Sequence, residues 1–194
     1  MHSAPGDLLP RQFAGGCLRR LRGSDLDAFQ AYRGIPGLGR YQGWSPMSDA
    51  EALAFLVEME SKALFQPGQW VQLGIAESRS DVLIGDIGLR LSDDGQTGEA
   101  GFTLAPSAQG RGVATAAVRE ALQLLFTASP ASSVLGITDA RNTPSIRLLE
   151  RLGFERQETR RAVFRGEECE EQVFVLTKAE FEGDALAGLG DLHA

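Results

Sequence analysis

The chain has 194 residues, 43% hydrophobic and 23% charged, which suits one domain with a sizeable core and is too apolar for a disordered chain. Asp and Glu outnumber Lys and Arg 26 to 19, a net charge of −7. That balance excludes a broad nucleic-acid-binding face and leaves room for a local basic pocket that takes a phosphorylated cofactor. The histidines are His2 and His193, both at the chain ends, and Cys17 and Cys169 stand far apart. His-dependent nucleophiles, metal sites and a disulfide framework are therefore not expected. Met1 to Pro10 has no basic segment followed by an apolar one, and no apolar run approaches the roughly 20 residues that cross a bilayer. A cytoplasmic protein without membrane or nucleic-acid partners is the expectation.

In chain order, residues 1–15 read as a flexible leader and 16–180 as the domain. Cys17 to Arg22 suits a first strand, and Ser24 or Asp25 suits the cap of a helix reaching Tyr32. Gly34 to Met47 is a Gly/Pro-rich loop holding Arg40, Tyr41 and Trp44. Ser48, with Glu51 three residues on, has the pattern of a capping box, and Leu53, Leu56, Val57 and Met59 continue at helical spacing. Strands are expected over Trp70 to Ala76, Val82 to Leu91 and Gly98 to Leu104. Ala114, Ala117, Val118, Ala121, Leu122 and Leu125 line one face of a long helix. Val134 to Thr138 reads as a buried strand, and Asn142 to Leu152 as a helix with Asn142 at its cap and Gly153 beyond its end. Strands around Thr159 to Arg165 and Glu171 to Thr177 flank a turn at Gly166, and a mobile tail is expected over 181–194. The order makes a mixed α/β domain.

The stretch Glu99 to Thr115 carries the chemistry. A strand enters a Gly-containing turn that opens directly onto the long helix. Backbone N–H groups at a helix start lack intrahelical partners, and the helix dipole adds partial positive charge, so Gly110 to Thr115 forms an anion site. Gly110 and Gly112 remove Cβ atoms that would block a phosphate, and Arg111 adds a cation. A nucleoside-triphosphate loop needs Lys and Ser/Thr after its last Gly, where this chain has Val113. A dinucleotide site needs its glycines early in a βαβ unit.

Gln109 to Ala114, Q-G-R-G-V-A, resembles the pyrophosphate loop of the GNAT N-acetyltransferases. Asn142 to Phe154, NTPSIRLLERLGF, resembles the N-x-x-S helix of the RimJ/RimL-type branch of that superfamily. The two motifs stand in the family's order, one helix and one strand apart, and the likeness spans roughly 17–178, taking in R-Y-Q-G-W and E-A-G-F. The resemblance implies a GNAT fold: a twisted, mostly antiparallel sheet of about six or seven strands, splayed between two central strands and flanked by about four helices. It implies acetyl-CoA as cosubstrate, no metal, and direct transfer to a primary amine. Gln109, Gly110, Arg111, Gly112, Val113, Ala114 and Thr115 hold the pyrophosphate in this reading. Phe102, Thr103 and Leu104 bind the pantetheine arm, with the Leu104 N–H polarising the thioester carbonyl, and Asn142 contacts pantetheine or positions the thiol.

The family's usual Tyr acid is missing, since Leu149 follows Leu148. Ser145 is the remaining partner for the leaving thiolate, or a plain first-turn residue. Glu99 is a candidate general base, or a structural strand carboxylate. Arg40, Tyr41 and Trp44 are candidates for lining the acceptor pocket, Trp44 equally for pinning its loop. The acceptor stays open between a protein N-terminal amine and a small-molecule amine. A catalytically silent CoA-binding module is the alternative function, and a nucleotide-binding protein a weaker one. A homodimer is one arrangement the resemblance suggests, through a strand edge near Glu171 to Thr177.

Overall fold

A computed structural model of the chain describes residues 8–183. Among these, eight strands form one sheet: β1 (Arg11–Phe13), β2 (Gly16–Arg20), β3 (Trp70–Ala76), β4 (Leu83–Leu91), β5 (Thr97–Leu104), β6 (Ser133–Asp139), β7 (Glu155–Phe164) and β8 (Glu167–Thr177). Their order is β1-β2-β3-β4-β5-β6-β8-β7. Helices α1 (Leu26–Arg33), α2 (Asp49–Ser61), α3 (Val113–Ala128) and α4 (Thr143–Arg151) accompany them, with a further helical segment at 178–183. The mixed α/β architecture matches the expectation, with one or two strands more.

The additional strand is β1, inside the segment expected to be a loose leader. Three residues are too few to show a period, and the strand exists because Arg11 to Phe13 pairs antiparallel with Leu18 to Gly16. Arg11 also bonds the Glu120 carboxylate. Residues 1–7 of that leader, and the tail from 184 onward, lie outside the described residues, while 178–183 are helical.

β5 and β6 pair in parallel only over Thr97–Glu99 and Ser133–Leu135, whereas β6 continues beside β8 to Asp139. β8 pairs with both β6 and β7, so it is an inner strand, and the sheet's edge is β7. The edge expected at Glu171 to Thr177 is thereby corrected. Arg165 and Gly166, both at positive φ, close the long hairpin with the twist that a two-residue turn requires.

The chain divides into two compact units, and each has its own apolar cluster. The first comprises 8–64, Val71–Gly88 and Phe102–Leu124; the second comprises Phe65–Trp70, Leu89–Gly101 and 125–183. In the first, Leu21, Phe29, Tyr32, Leu56, Met59 and Leu83 form a buried cluster. α2 starts as expected: the Ser48 hydroxyl accepts from the Glu51 N–H at 3.3 Å, and the Glu51 carboxylate accepts from the Ser48 N–H at 2.8 Å. Leu56 and Met59 face the cluster, whereas Leu53 and Val57 remain exposed. Asp25 does not cap α1 with its side chain. Its carboxylate accepts from Arg19 at 2.8 and 2.9 Å and from the Arg22 N–H at 2.8 Å, and Gly23–Asp25 forms a 3-10 turn ahead of the helix.

In the second unit Phe174 and Leu176 are buried with Leu148 and Leu149 of α4. Gly136 on β6 lets that helix approach: a Cβ there would sit 2.6 Å from a Leu149 methyl. Among the described residues, no helix is long and apolar enough to cross a membrane.

Candidate active site

The first unit gathers most of the predicted residues. β5 delivers Phe102, Thr103 and Leu104, a 3-10 turn (Pro106–Ala108) reverses the chain, and Gln109 to Gly112 leads into α3. The Gln109 side-chain amide donates to the Leu104 carbonyl at 2.9 Å, stapling the loop to the end of the strand. Gly110 and Gly112 adopt φ of +74° and +77°, a region that side chains with a Cβ rarely enter. A Cβ at either position would meet nothing within 4 Å, so the glycines serve the backbone's turn and crowding within the chain does not demand them. The Ala116 N–H makes a helical bond to the Gly112 carbonyl at 3.1 Å, which sets Val113, Ala114 and Thr115 in the first turn, ahead of it in the ladder. Arg111 is exposed beside them. Helix dipole, first-turn amides and a nearby guanidinium suit an anionic group.

The predicted acceptor residues lie in the same unit. The Trp44 indole N–H donates to the Thr103 hydroxyl at 3.3 Å, and Gln42, not among the predicted site residues, donates to the Phe102 carbonyl at 3.1 Å. The loop therefore reaches β5 at two successive residues. Arg40 is exposed, with its guanidinium 5.4 Å from the centroid of the half-buried Tyr41 ring.

Glu99, Asn142 and Ser145 belong to the second unit. Glu99 is half-buried on β5. Burial raises its pKa, Arg90 and Arg160 pull it back, and Glu171 pushes it further up. Asn142 is the N-cap of α4, its side-chain oxygen accepting from the Ser145 N–H at 3.4 Å, which leaves its amide N–H₂ as a donor pair. Ser145 is half-buried in the first turn. The second unit also contains a cleft of about 630 Å³ lined by Asp139, Arg141, Arg161, Glu168, Cys169 and Glu170, among others. It holds none of the predicted residues. In it Arg141 pairs with Asp139 at 2.7 Å, and Arg161 stands opposite Glu170 in the hairpin register. The α3 N-terminus, unlike this cleft, joins two glycines at positive φ to the first turn of a long helix beside an exposed arginine.

Comparison with known proteins supports the same conclusion. The chain is 26% identical over 169 residues to the uncharacterized N-acetyltransferase p20 of Bacillus licheniformis, covering 86% of this chain and 94% of that one. Its fold matches an acetyltransferase of the GNAT family from Bacillus anthracis at a TM-score of 0.76 and 16% identity, over 89% of this chain and all of the other. It also matches the spermidine N-acetyltransferase of Vibrio cholerae, solved in complex with CoA and spermine, at 0.73 and 18% identity, over 87% and 99%. The model of the acetyltransferase (GNAT) domain matches residues 17–155. The chain belongs to that family and is an acyl-CoA-dependent acetyltransferase.

Proposed function

We propose that the protein transfers the acetyl group of acetyl-CoA directly to a primary amine, on a protein N-terminus or a small molecule, as a RimJ/RimL-type member of its family. The observation that carries this is the start of α3, where Gly110 and Gly112 turn at positive φ and the Gln109–Leu104 bond ties the loop to β5 just ahead of the helix's first-turn amides. The N-x-x-S helix supports the branch, and a solved neighbour that holds both CoA and spermine supports an amine acceptor.

A bound acetyl-CoA supplies the activated acyl group. Gln109 to Thr115 bind its pyrophosphate, mainly through backbone N–H groups, with Arg111 adding charge. Phe102 to Leu104 orient the pantetheine arm. The Leu104 N–H stabilises the carbonyl oxygen as negative charge develops there. Asn142 and Ser145 hold the sulfur end, Ser145 by hydrogen-bonding the departing thiolate. Glu99 takes the proton that the ammonium must lose before its nitrogen attacks. Arg40, Tyr41 and Trp44 line the acceptor pocket. Positioning supplies most of the rate, because a thioester is already reactive.

A thiol-release assay with acetyl-CoA against N-terminal peptides, polyamines, amino acids and aminoglycosides tests the reading. Turnover with one acceptor class is expected and names the substrate. Tight CoA binding by calorimetry with no amine acetylated makes the protein a silent CoA-binding module instead. No CoA binding at all overturns the site.

A further inference from the structure

The loop over 34–47 is tied down by a buried cluster that has no place in the chemistry above. Asp86 on β4 is fully buried. Its carboxylate accepts from the Arg33 guanidinium at 2.8 and 3.3 Å, from the Tyr32 hydroxyl and from the Gln72 side-chain amide. Four donors converge on one carboxylate, so its acceptor capacity is filled and the guanidinium plane is fixed. Arg33 is itself 5% exposed. The Trp44 ring packs over it, 4.4 Å from guanidinium carbon to ring centroid, and the Phe29 ring lies 4.7 Å away. A desolvated guanidinium is where cation–π attraction is strongest. From there Trp44 reaches Thr103, and its neighbour Gln42 reaches the Phe102 carbonyl. The chain Asp86–Arg33–Trp44–Thr103 thus runs from a buried charge on β4, through the loop, to the β5 segment assigned to pantetheine.

We propose that Asp86 and Arg33 are positioning residues for acetyl transfer: they hold Trp44 on β5 and so fix the loop in the shape that receives the amine. This rests on the reading of that loop as the acceptor pocket.

Trp44 and Trp70 are the two tryptophans of the chain, so a Trp70→Phe background makes Trp44 the sole reporter. In that background, Asp86→Asn is expected to shift Trp44 emission to longer wavelength and increase its quenching by acrylamide. It is expected to raise the amine KM about 10-fold while leaving CoA affinity by calorimetry unchanged. Asp86→Asn combined with Trp44→Phe should do no more damage to the amine KM than the worse single change. If Asp86→Asn fails to fold, Arg33→Lys keeps the charge, loses the planar fork and carries the same readouts. Unmoved Trp44 emission, equal losses for amine and CoA, or additive effects overturn the proposal. An unsubstituted protein that binds CoA and acetylates no amine overturns the acetyl-transfer reading on which it rests, an outcome distinct from unmoved emission in an active enzyme.

Discussion

Glu99 is a half-buried carboxylate on β5, proposed above as the general base. Burial raises its pKa, with Arg90 and Arg160 opposing and Glu171 reinforcing. A base with a raised pKa is charged only above it, so the rate should fall as pH drops through a limb lying above the ordinary Glu range. Glu99→Gln is expected to lower kcat at least about 100-fold and to abolish that limb in the thiol-release assay. A rate near that of the parent protein would leave Glu99 a structural strand residue. The stability effect has the opposite sign. A raised folded-state pKa gives stability that is present below the unfolded value and lost as pH rises through the folded one, so Gln should raise the urea midpoint at neutral pH. Glu99 drew notice through the resemblance, by its place ten residues before Gln109, and not through any local pattern. Gln42 drew none, because nothing local distinguishes it from any other polar loop residue.

Among the elements, α3 and its loop read most directly from the sequence. Six apolar residues at helical spacing follow two glycines, and both features come from backbone geometry within a few residues. Gly112→Ala puts a Cβ on a backbone at φ +77° with open space around it, so only the strain acts. A destabilisation of about 1–2 kcal/mol by urea unfolding is expected. Any relaxation of the turn also moves the α3 amides, so acetyl-CoA KM should rise while amine KM holds. A drop in amine KM alone would contradict the assignment of this loop. α2 was equally plain, its Ser48–Glu51 cap forming as the residues suggest. β1, three residues long, was not legible, and β7 was read only from Thr159, because its exposed first residues have no apolar alternation. Both strands are defined by their partners.

At the scale of the molecule, charges far apart in sequence pair in ways composition does not reveal. Arg19 bonds Asp25 and Asp81, but the two carboxylates differ in setting: the Asp25 side chain is 8% exposed and the Asp81 side chain 53%. Removing a partner from a buried ion pair strands the remaining charge. Asp25→Ala should therefore cost about 3 kcal/mol or more, and Asp81→Ala under about 1 kcal/mol, in urea unfolding at pH 7. Equal losses would mean that water reaches Arg19 more than its burial indicates.

Read alone, the amino-acid sequence was enough for the Ser48 and Asn142 caps, the glycine turn and the apolar face of α3, because each depends on residues within one or two turns of each other. The tertiary structure decided which arginine is buried against which aspartate, and made β8 an inner strand. It also set Trp44 over Arg33 and ended the β5–β6 ladder at Glu99. Those outcomes follow from long-range pairing, where many partners of equal chemistry compete and only packing selects among them.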